Sequence, residues 1–454
     1  MEKQRAILIF DVGKTNKKLL LFNEQYQLVL EESLHFDEIP DEEGFMGEDL
    51  QALTAWLKSS YEKILSQQEY EIVAVNFSAY GASFVYLDET YQVVTPLYNY
   101  LKPYPQELQQ KFYSEYGGET KLAKQMASPV LGSLNSGMQL YRIKYEKPEL
   151  FGRIRYALHL PQYLSFVIGG KTFTDLTSVG CHTNLWNFWA GQYHEWVSKE
   201  GVLEKFPPLL PCDEVATVLE NGVKIGAGLH DSSAALIPYL ATFKEPFILL
   251  STGTWCISLH PFNYTQLTDH ELSQDCLCYL SYFGKPVKAS RLFAGYEHEQ
   301  QTKRLAEHFG VEPDYFTRVK ANDAIIKKLQ LGNDRNREQS NTAMVGSSVF
   351  SERSLAAFDH YEEAYHQLIA DLVTQQVRST NLVLNTAPVK RIFVDGGFSK
   401  NPIYMQLLAM SYPDLEIYAA SVAQATALGA AMALHQHWNT QEQPPHCVEL
   451  KLFR

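Results

Sequence analysis

The sequence predicts an α/β protein built as two similar lobes, and three observations carry that reading. Its 454 residues exceed the roughly 250–300 at which a single hydrophobic core stops growing, so two or more domains are expected. A strand–turn–strand unit near the start, IFDVGKTNKKLLLF, returns about half a chain later as FILLSTGTWCISL, with Gly253 in the place of Gly13 and Phe247 to Leu250 in the place of Ile7 to Phe10. Around these units, strand-like apolar runs alternate with amphipathic helical stretches.

Taken in order, Ala6 to Phe10 is an apolar run of strand length, followed by the polar turn Asp11-Val12-Gly13-Lys14-Thr15-Asn16 and a second run, Leu19 to Phe22. Together they form a hairpin with a Gly-containing tip. An acidic loop from Asp37 to Glu48 leads into a helix in which Leu50, Leu53, Trp56, Leu57, Tyr61, Ile64 and Leu65 recur at helical spacing. Glu71 to Phe77 and Ser83 to Leu87 read as strands. From about Tyr98 to Trp189 the chain reads as helices and loops punctuated by prolines, packed on the first sheet. A strand-like pair follows Pro207-Pro208-Leu209-Leu210-Pro211, and Gly226 to Leu236 reads as a tight turn entering a small-residue helix.

In the C-terminal half, helices are expected from about Arg304 and from about Leu355 to Leu384, then a strand at Arg391 to Val394. Asn401 is placed as the N-cap of the next helix and Pro402 at its first position. Ala419 to Leu434 reads as one small-residue helix, and the tail beyond Trp438 as polar and peripheral. The domain boundary is placed between residues 242 and 243, giving lobes of residues 1–242 and 243–454.

With 45% hydrophobic and 20% charged residues, the composition is that of an ordinary globular protein. The formal net charge of −13 argues against a broad nucleic-acid or anionic-membrane surface, which would need clustered Lys and Arg. Any phosphate site must therefore be local. The six cysteines are spread too widely for a zinc framework or a disulfide scaffold and read as buried thiols. The five apolar residues before the first charge after Arg5 are too few for a signal peptide or a membrane span, so a cytoplasmic location is expected.

Four segments could carry chemistry. At the first hairpin tip, backbone N–H groups and Gly13 let a phosphate approach, Thr15 offers a hydroxyl, Lys14 or Lys18 adds charge, and Asp11 can hold Mg²⁺ through water. An ordinary hairpin turn uses the same residue types. Position 8 is Leu, so Gly13-Lys14-Thr15 is not part of a P-loop, and no dinucleotide fingerprint follows the first strand. Asp231 stands where a Gly-rich turn enters a helix, whose positive end is expected to favour the ionised carboxylate, and this suits either a base that accepts a hydroxyl proton or a simple N-cap. Ser251-Thr252-Gly253-Thr254 is a second hydroxyl-rich tip, and Gly396-Gly397 ends a strand where backbone can approach a ligand.

In this order the segments resemble the FGGY family of carbohydrate kinases over nearly the whole chain. The resemblance lies in D-x-G-x-T-x-x-K at Asp11, Gly13, Thr15 and Lys18, and in G-x-H-D at Gly228, His230 and Asp231. It continues in S-T-G-T at Ser251 to Thr254, G-G-x-S-x-N at Gly396, Gly397, Ser399 and Asn401, and A-T-A-L-G-A-A at Ala425 to Ala431. It implies two actin/hexokinase-like (ribonuclease H-like) lobes around an interlobe active-site cleft, with ATP and Mg²⁺ as cofactors and a sugar held mainly by the first lobe.

On that pattern Asp231 is the catalytic base, and Asp11 and Asp231 are the metal-binding carboxylates. Asp11, Gly13, Thr15, Lys18, Thr252, Gly253, Thr254, Gly396, Gly397 and Asn401 form the nucleotide and phosphate set, while Tyr80, Ser83, Asn99 and His230 face the sugar. Gly228 to Ser232 and Tyr80 to Asp88 look most like the L-rhamnulose and L-fuculose kinases, with phosphorylation at a primary hydroxyl of the ketose.

The chain departs from the family pattern at Ser83, where an acid is usual. Tyr98 to Lys102 replaces an Arg- and Asp-containing segment, and Gln162 and Gln424 stand for acids. Another pentulose or a polyol such as glycerol is the alternative acceptor, and a sugar sensor or a non-kinase ATPase is the rival function. The oligomeric state is left open.

Overall fold

The computed structural model describes residues 3–336, 349–384, 388–422, 424–442 and 447–454. The first seven-stranded sheet contains β1 (Gln4–Val12), β2 (Lys17–Asn23), β3 (Leu28–Leu34), β4 (Tyr70–Ala79), β5 (Val215–Val218), β6 (Lys224–Gly226) and β7 (Leu229–His230). Its order is β5-β6-β4-β1-β2-β3, with β7 also on β4. The second contains β8 (Phe247–Thr252), β9 (Cys256–His260), β10 (Cys276–Leu280), β11 (Pro286–Leu292), β12 (Arg391–Gly396), β13 (Glu416–Ser421) and β14 (Glu449–Phe453), in the order β10-β11-β9-β8-β12-β13-β14.

The repeat read from two hairpins extends to whole sheets. In the first, β1 runs antiparallel to β2, β2 antiparallel to β3, and β4 and β6 continue in parallel on the other side of β1. In the second, β8, β9 and β11 make the same antiparallel series, while β12 and β13 continue in parallel. Central strands of such sheets are covered on both faces, so they read as continuous apolar runs rather than alternating ones. Ala6 to Phe10 are accordingly all buried.

The helices follow from their apolar stripes. α1 (Leu50–Leu65) buries Leu50, Leu53, Leu57 and Ile64, and Asp49 caps it by accepting the Ala52 N–H at 2.9 Å. α2 (Asp231–Thr242) lies against α6 (Ala425–Ala433), and a Cβ on Gly429 would sit 1.9 Å from the Ala234 carbonyl oxygen. That contact explains the run of small residues. One apolar cluster passes from Ile7 and Ile9 through Ala234, Ala427 and Ala430 to Leu249 and Phe393, so this helix pair joins the two sheets.

Four expectations change. Phe84–Leu87 pairs with Tyr156–His159 in a separate ribbon rather than in the main sheet. The helix expected from Arg304 starts earlier, as α3 (Ala294–Phe309), because its first turns are polar and bury only Ala294. Ala419 to Leu434 divides into β13, which pairs with β12 and β14, and α6, with Gln424 at φ 53° between them. Alanine favours helix, but pairing on both edges overrides it. The tail returns as β14, and Ala423 and residues 443–446 lie outside the described residues.

Cys181, Cys212, Cys256, Cys276 and Cys278 are buried thiols. Among the described residues no helix is long and apolar enough to cross a membrane. α4 (Tyr361–Leu384) and α5 (Pro402–Ser411) complete the second lobe.

Candidate active site

The ends of β1, β4 and β7 bring two carboxylates together. Asp11 pairs in register with Ser78 on β4, and Ser78 in turn with Leu229 on β7, two residues before Asp231. Asp231 is the first residue of α2 and not its N-cap, which is His230. Its Oδ1 accepts the Ser232 N–H at 2.5 Å and the Ser232 hydroxyl at 3.2 Å. Burial nevertheless pushes its pKa up to about 6, although 31% of the side chain stays open. Desolvation thus outweighs the helix N-terminus that was expected to favour the ionised form. A base with that value is still ionised at neutral pH and is a better proton acceptor than an ordinary carboxylate.

Asp11 is also raised to about 6, first by burial and then by the charge of Asp231, against the Thr426 hydroxyl that donates to Oδ2 at 2.6 Å. The two carboxylates titrate as a neighbouring pair, so their steps belong to the pair. A reaction that needs both carboxylates ionised is expected to show full kcat/KM above this range and a fall as pH drops through about 6. The fold should not weaken in step. A carboxyl whose folded pKa is raised holds its proton to higher pH than in the unfolded chain, so acid adds stability from these two groups. A pH–rate profile flat to pH ~5, or melting that tracks the activity loss, would contradict this.

In the second lobe, Thr252, Gly253, Thr254, Gly397, Phe398 and Asn401 line a cavity of 520 Å³ with His298, Phe316 and Tyr365, a size suited to a nucleotide-like ligand. The Thr252 hydroxyl is already committed. It donates to the Asp395 carbonyl at 2.5 Å and accepts the Phe398 N–H at 3.0 Å, so it ties β8 to the turn after β12 rather than reaching a phosphate.

Asn401 accepts the Ile403 and Tyr404 N–H groups at 3.0 and 3.1 Å and donates to the Tyr365 hydroxyl at 2.8 Å. It caps α5 and positions Tyr365, whose hydroxyl also lies 3.0 Å from His298 Nε2. Burial holds His298 at about 4, hence neutral. Sequence reasoning missed His298, Phe316 and Tyr365, since helical periodicity reports burial and not a cavity.

At the first hairpin tip, Gly13 N–H bonds to the Asn16 carbonyl at 2.9 Å and Thr15 is exposed. Lys18, the in-register partner of Asp11, donates to Gln424 at 2.8 Å and pairs with Glu31 at 3.3 Å, and its charge still acts to lower the Asp11 pKa. Lys17 is buried against Glu48 at 2.8 Å, and Lys14 pairs with Glu38.

On the acceptor side, His230 Nε2 lies 3.2 Å from Asp231 Oδ1 and 3.0 Å from Cys181 Sγ, and burial keeps it neutral, at about 3. Its ring stacks on Tyr279, 5.5 Å away on β10, so the second lobe supports this wall. Tyr80 is buried and donates to Glu48 at 3.4 Å, while the buried Ser83 hydroxyl lies near the Tyr80 phenol but outside hydrogen-bonding geometry. Gln162 donates to the Gly228 carbonyl at 3.0 Å and braces the turn before Asp231.

Asn99 does not join them. It donates to the Met46 carbonyl at 2.8 Å and accepts the Leu101 N–H at 2.9 Å. Its neighbour Tyr100 is the residue close enough to Asp231 to feel its charge.

With this geometry established, comparison with known proteins gives consistent matches. Residues 6–236 match the FGGY family of carbohydrate kinases, N-terminal domain, and residues 244–444 match Carbohydrate kinase FGGY, C-terminal domain. A rhamnulokinase of Halalkalibacterium halodurans is 21% identical over 453 residues, covering 94% of this chain and 92% of the relative. An L-fuculokinase of Haemophilus influenzae is 21% identical over 451 residues, covering 94% and 93%.

Among solved structures, a carbohydrate kinase from Novosphingobium aromaticivorans superposes with a TM-score of 0.79 at 21% identity, covering 100% of this chain and 94% of the other. Plasmodium falciparum glycerol kinase with ADP gives 0.74 at 15% identity, covering 96% and 90%. The two sheets therefore form the actin/hexokinase-like fold, and the chain belongs to the FGGY family of carbohydrate kinases.

Proposed function

We propose that this kinase transfers the γ-phosphoryl group of ATP to a primary hydroxyl of a 6-deoxy-ketose such as L-rhamnulose or L-fuculose. The observation that carries the reading is Asp231, raised to about 6 beside Asp11 and within 3.2 Å of the neutral His230. Asp231 accepts the proton of the attacking hydroxyl, while backbone groups of the two hairpin tips orient the phosphates. Residues 1–242 form the sugar-binding lobe and residues 243–454 the nucleotide-binding lobe. In support, every residue lining the 520 Å³ cavity falls between Thr252 and Pro402. Closure of the lobes excludes water from the transfer.

Asp11 and Asp231 fit Mg²⁺, which keeps several waters and needs only one or two carboxylates beside the phosphates. Two buried carboxylates, with the charge of Asp231 adding to burial in raising Asp11, are a set that a divalent cation relieves. When bound, it would neutralise charge on the transferring phosphoryl group. The acidic composition and the buried thiols support a cytoplasmic setting.

The relatives of rhamnulokinase and L-fuculokinase type support the finer choice, and the glycerol kinase and xylulose kinase neighbours keep a polyol or pentulose as the second reading. Assay of ATP turnover with L-rhamnulose, L-fuculose, L- and D-ribulose, D-xylulose and glycerol is expected to give the highest kcat/KM on one of the first two. A maximum on glycerol or a pentulose overturns the 6-deoxy assignment. Strong hydrolysis of ATP that no acceptor increases overturns the kinase reading.

A further inference from the structure

We infer that Tyr100 selects the acceptor, forming with Tyr80 an aromatic wall that receives the deoxygenated end of the ketose. The inference rests on the reading proposed above and deepens it. Tyr100 lies in the segment where this chain departs from the family pattern, and its polar neighbours Asn99 and Lys102 are tied down. Asn99 holds Met46 and the Leu101 N–H, and Lys102 is locked at 2.6 Å on Asp41 and 3.1 Å on Glu43. Lys102 N–H also closes a turn onto the Asn99 carbonyl at 3.0 Å. This turn carries Tyr100 against Tyr80, whose N–H bonds to the Val12 carbonyl at 3.1 Å beside Asp11, and burial and then the charge of Asp231 push the Tyr100 phenol up.

The Tyr100 ring meets Tyr80 edge to face at 6.1 Å and 62°, a favoured aromatic geometry. The lysines beside this pair are matched already. Glu48, which receives the Tyr80 hydroxyl, is neutralised by the buried Lys17, and Lys14, 5.9 Å from the Tyr80 ring, pairs with Glu38. Neither lysine is then left to read a sugar hydroxyl. A hydroxyl pressed against the Tyr100 ring where it meets Tyr80 loses its water without gaining a partner, whereas a methyl group gains apolar contact.

The test compares L-rhamnulose with L-fructose, which carries a hydroxymethyl group where L-rhamnulose carries methyl. The wild type is expected to favour L-rhamnulose at least tenfold in kcat/KM, about 1.4 kcal/mol. Tyr100→Ser should cut that ratio about tenfold or more, through a raised KM for L-rhamnulose, with kcat and the KM for ATP nearly unchanged. Tyr100→Phe, which keeps the ring, should retain the ratio, and Tyr100→Asn replaces the serine variant if that one melts below assay temperature.

A ratio unchanged in Tyr100→Ser, or an equal loss on both sugars, overturns the inference alone. Loss of the ratio in Tyr100→Phe assigns selection to the hydroxyl and overturns the wall. A wild type that phosphorylates neither sugar but another acceptor overturns the 6-deoxy reading and the inference with it.

Discussion

Asp231→Asn is expected to lower kcat by roughly 10²–10⁴-fold while leaving the affinities for ATP and sugar within a few-fold of wild type. The amide keeps the shape of the carboxylate, and its oxygen can still accept the Ser232 N–H now held at 2.5 Å. It cannot take a proton. The variant should also be at least as stable as the wild type, since burial already pushes Asp231 up to about 6 and the substitution removes a charge that the site desolvates. Removing that charge should also lower the Asp11 pKa, because Asp231 is one of the groups that raise it. Residual activity in the variant should therefore show its acid limb at lower pH. Turnover measured by ADP release, with melting temperature and a pH profile, checks all three. A kcat within tenfold of wild type removes Asp231 from the role of base.

How much of this was legible in the sequence depends on the distance over which each residue finds its partner. Asn401 was readable as an N-cap because Asn-Pro before an apolar helix is a local signal, and the structure shows both N–H bonds. The duplicated hairpin was readable because an apolar run and a Gly tip lie within thirteen residues, FILLSTGTWCISL.

The partners of Lys18 and Asn99 were not legible for the opposite reason. Lys18 is turned by Gln424, 406 residues away, and Asn99 by the Met46 carbonyl, 53 residues away, and neither partner leaves a trace near its own position. Tyr279 belongs to a short apolar strand that could sit in any core, and only the packing of β10 onto the first lobe brings its ring to His230. The ionisation of Asp231 was misjudged because a helix N-terminus is visible in sequence and the depth of burial is not.

Gly396→Ala should be strongly damaging beside the 520 Å³ cavity, and Gly397→Ala, one residue on, close to neutral. Gly396 holds φ 90° and ψ −150°, a region essentially closed to residues with a Cβ, at a cost of about 1–3 kcal/mol. A Cβ there would also stand 2.0 Å from the Thr252 carbonyl oxygen, its in-register partner at the end of β8. Relief requires the ends of β8 and β12 to separate. That movement would break the Thr252 bonds to Asp395 and Phe398, now 2.5 and 3.0 Å, and displace a wall of the 520 Å³ cavity.

The expected result is a loss of about 3 kcal/mol or more in stability and a KM for ATP raised at least about tenfold. At Gly397 the added carbon would meet only the same oxygen, at 3.9 Å, with no left-handed φ to strain it, so stability should change by less than about 1 kcal/mol. Denaturant unfolding of the two variants side by side, with ATP titration of each, measures the difference. Equal behaviour would mean that the paired glycines serve the loop as a whole and that the contact between Gly396 and Thr252 does not set the shape of the cavity.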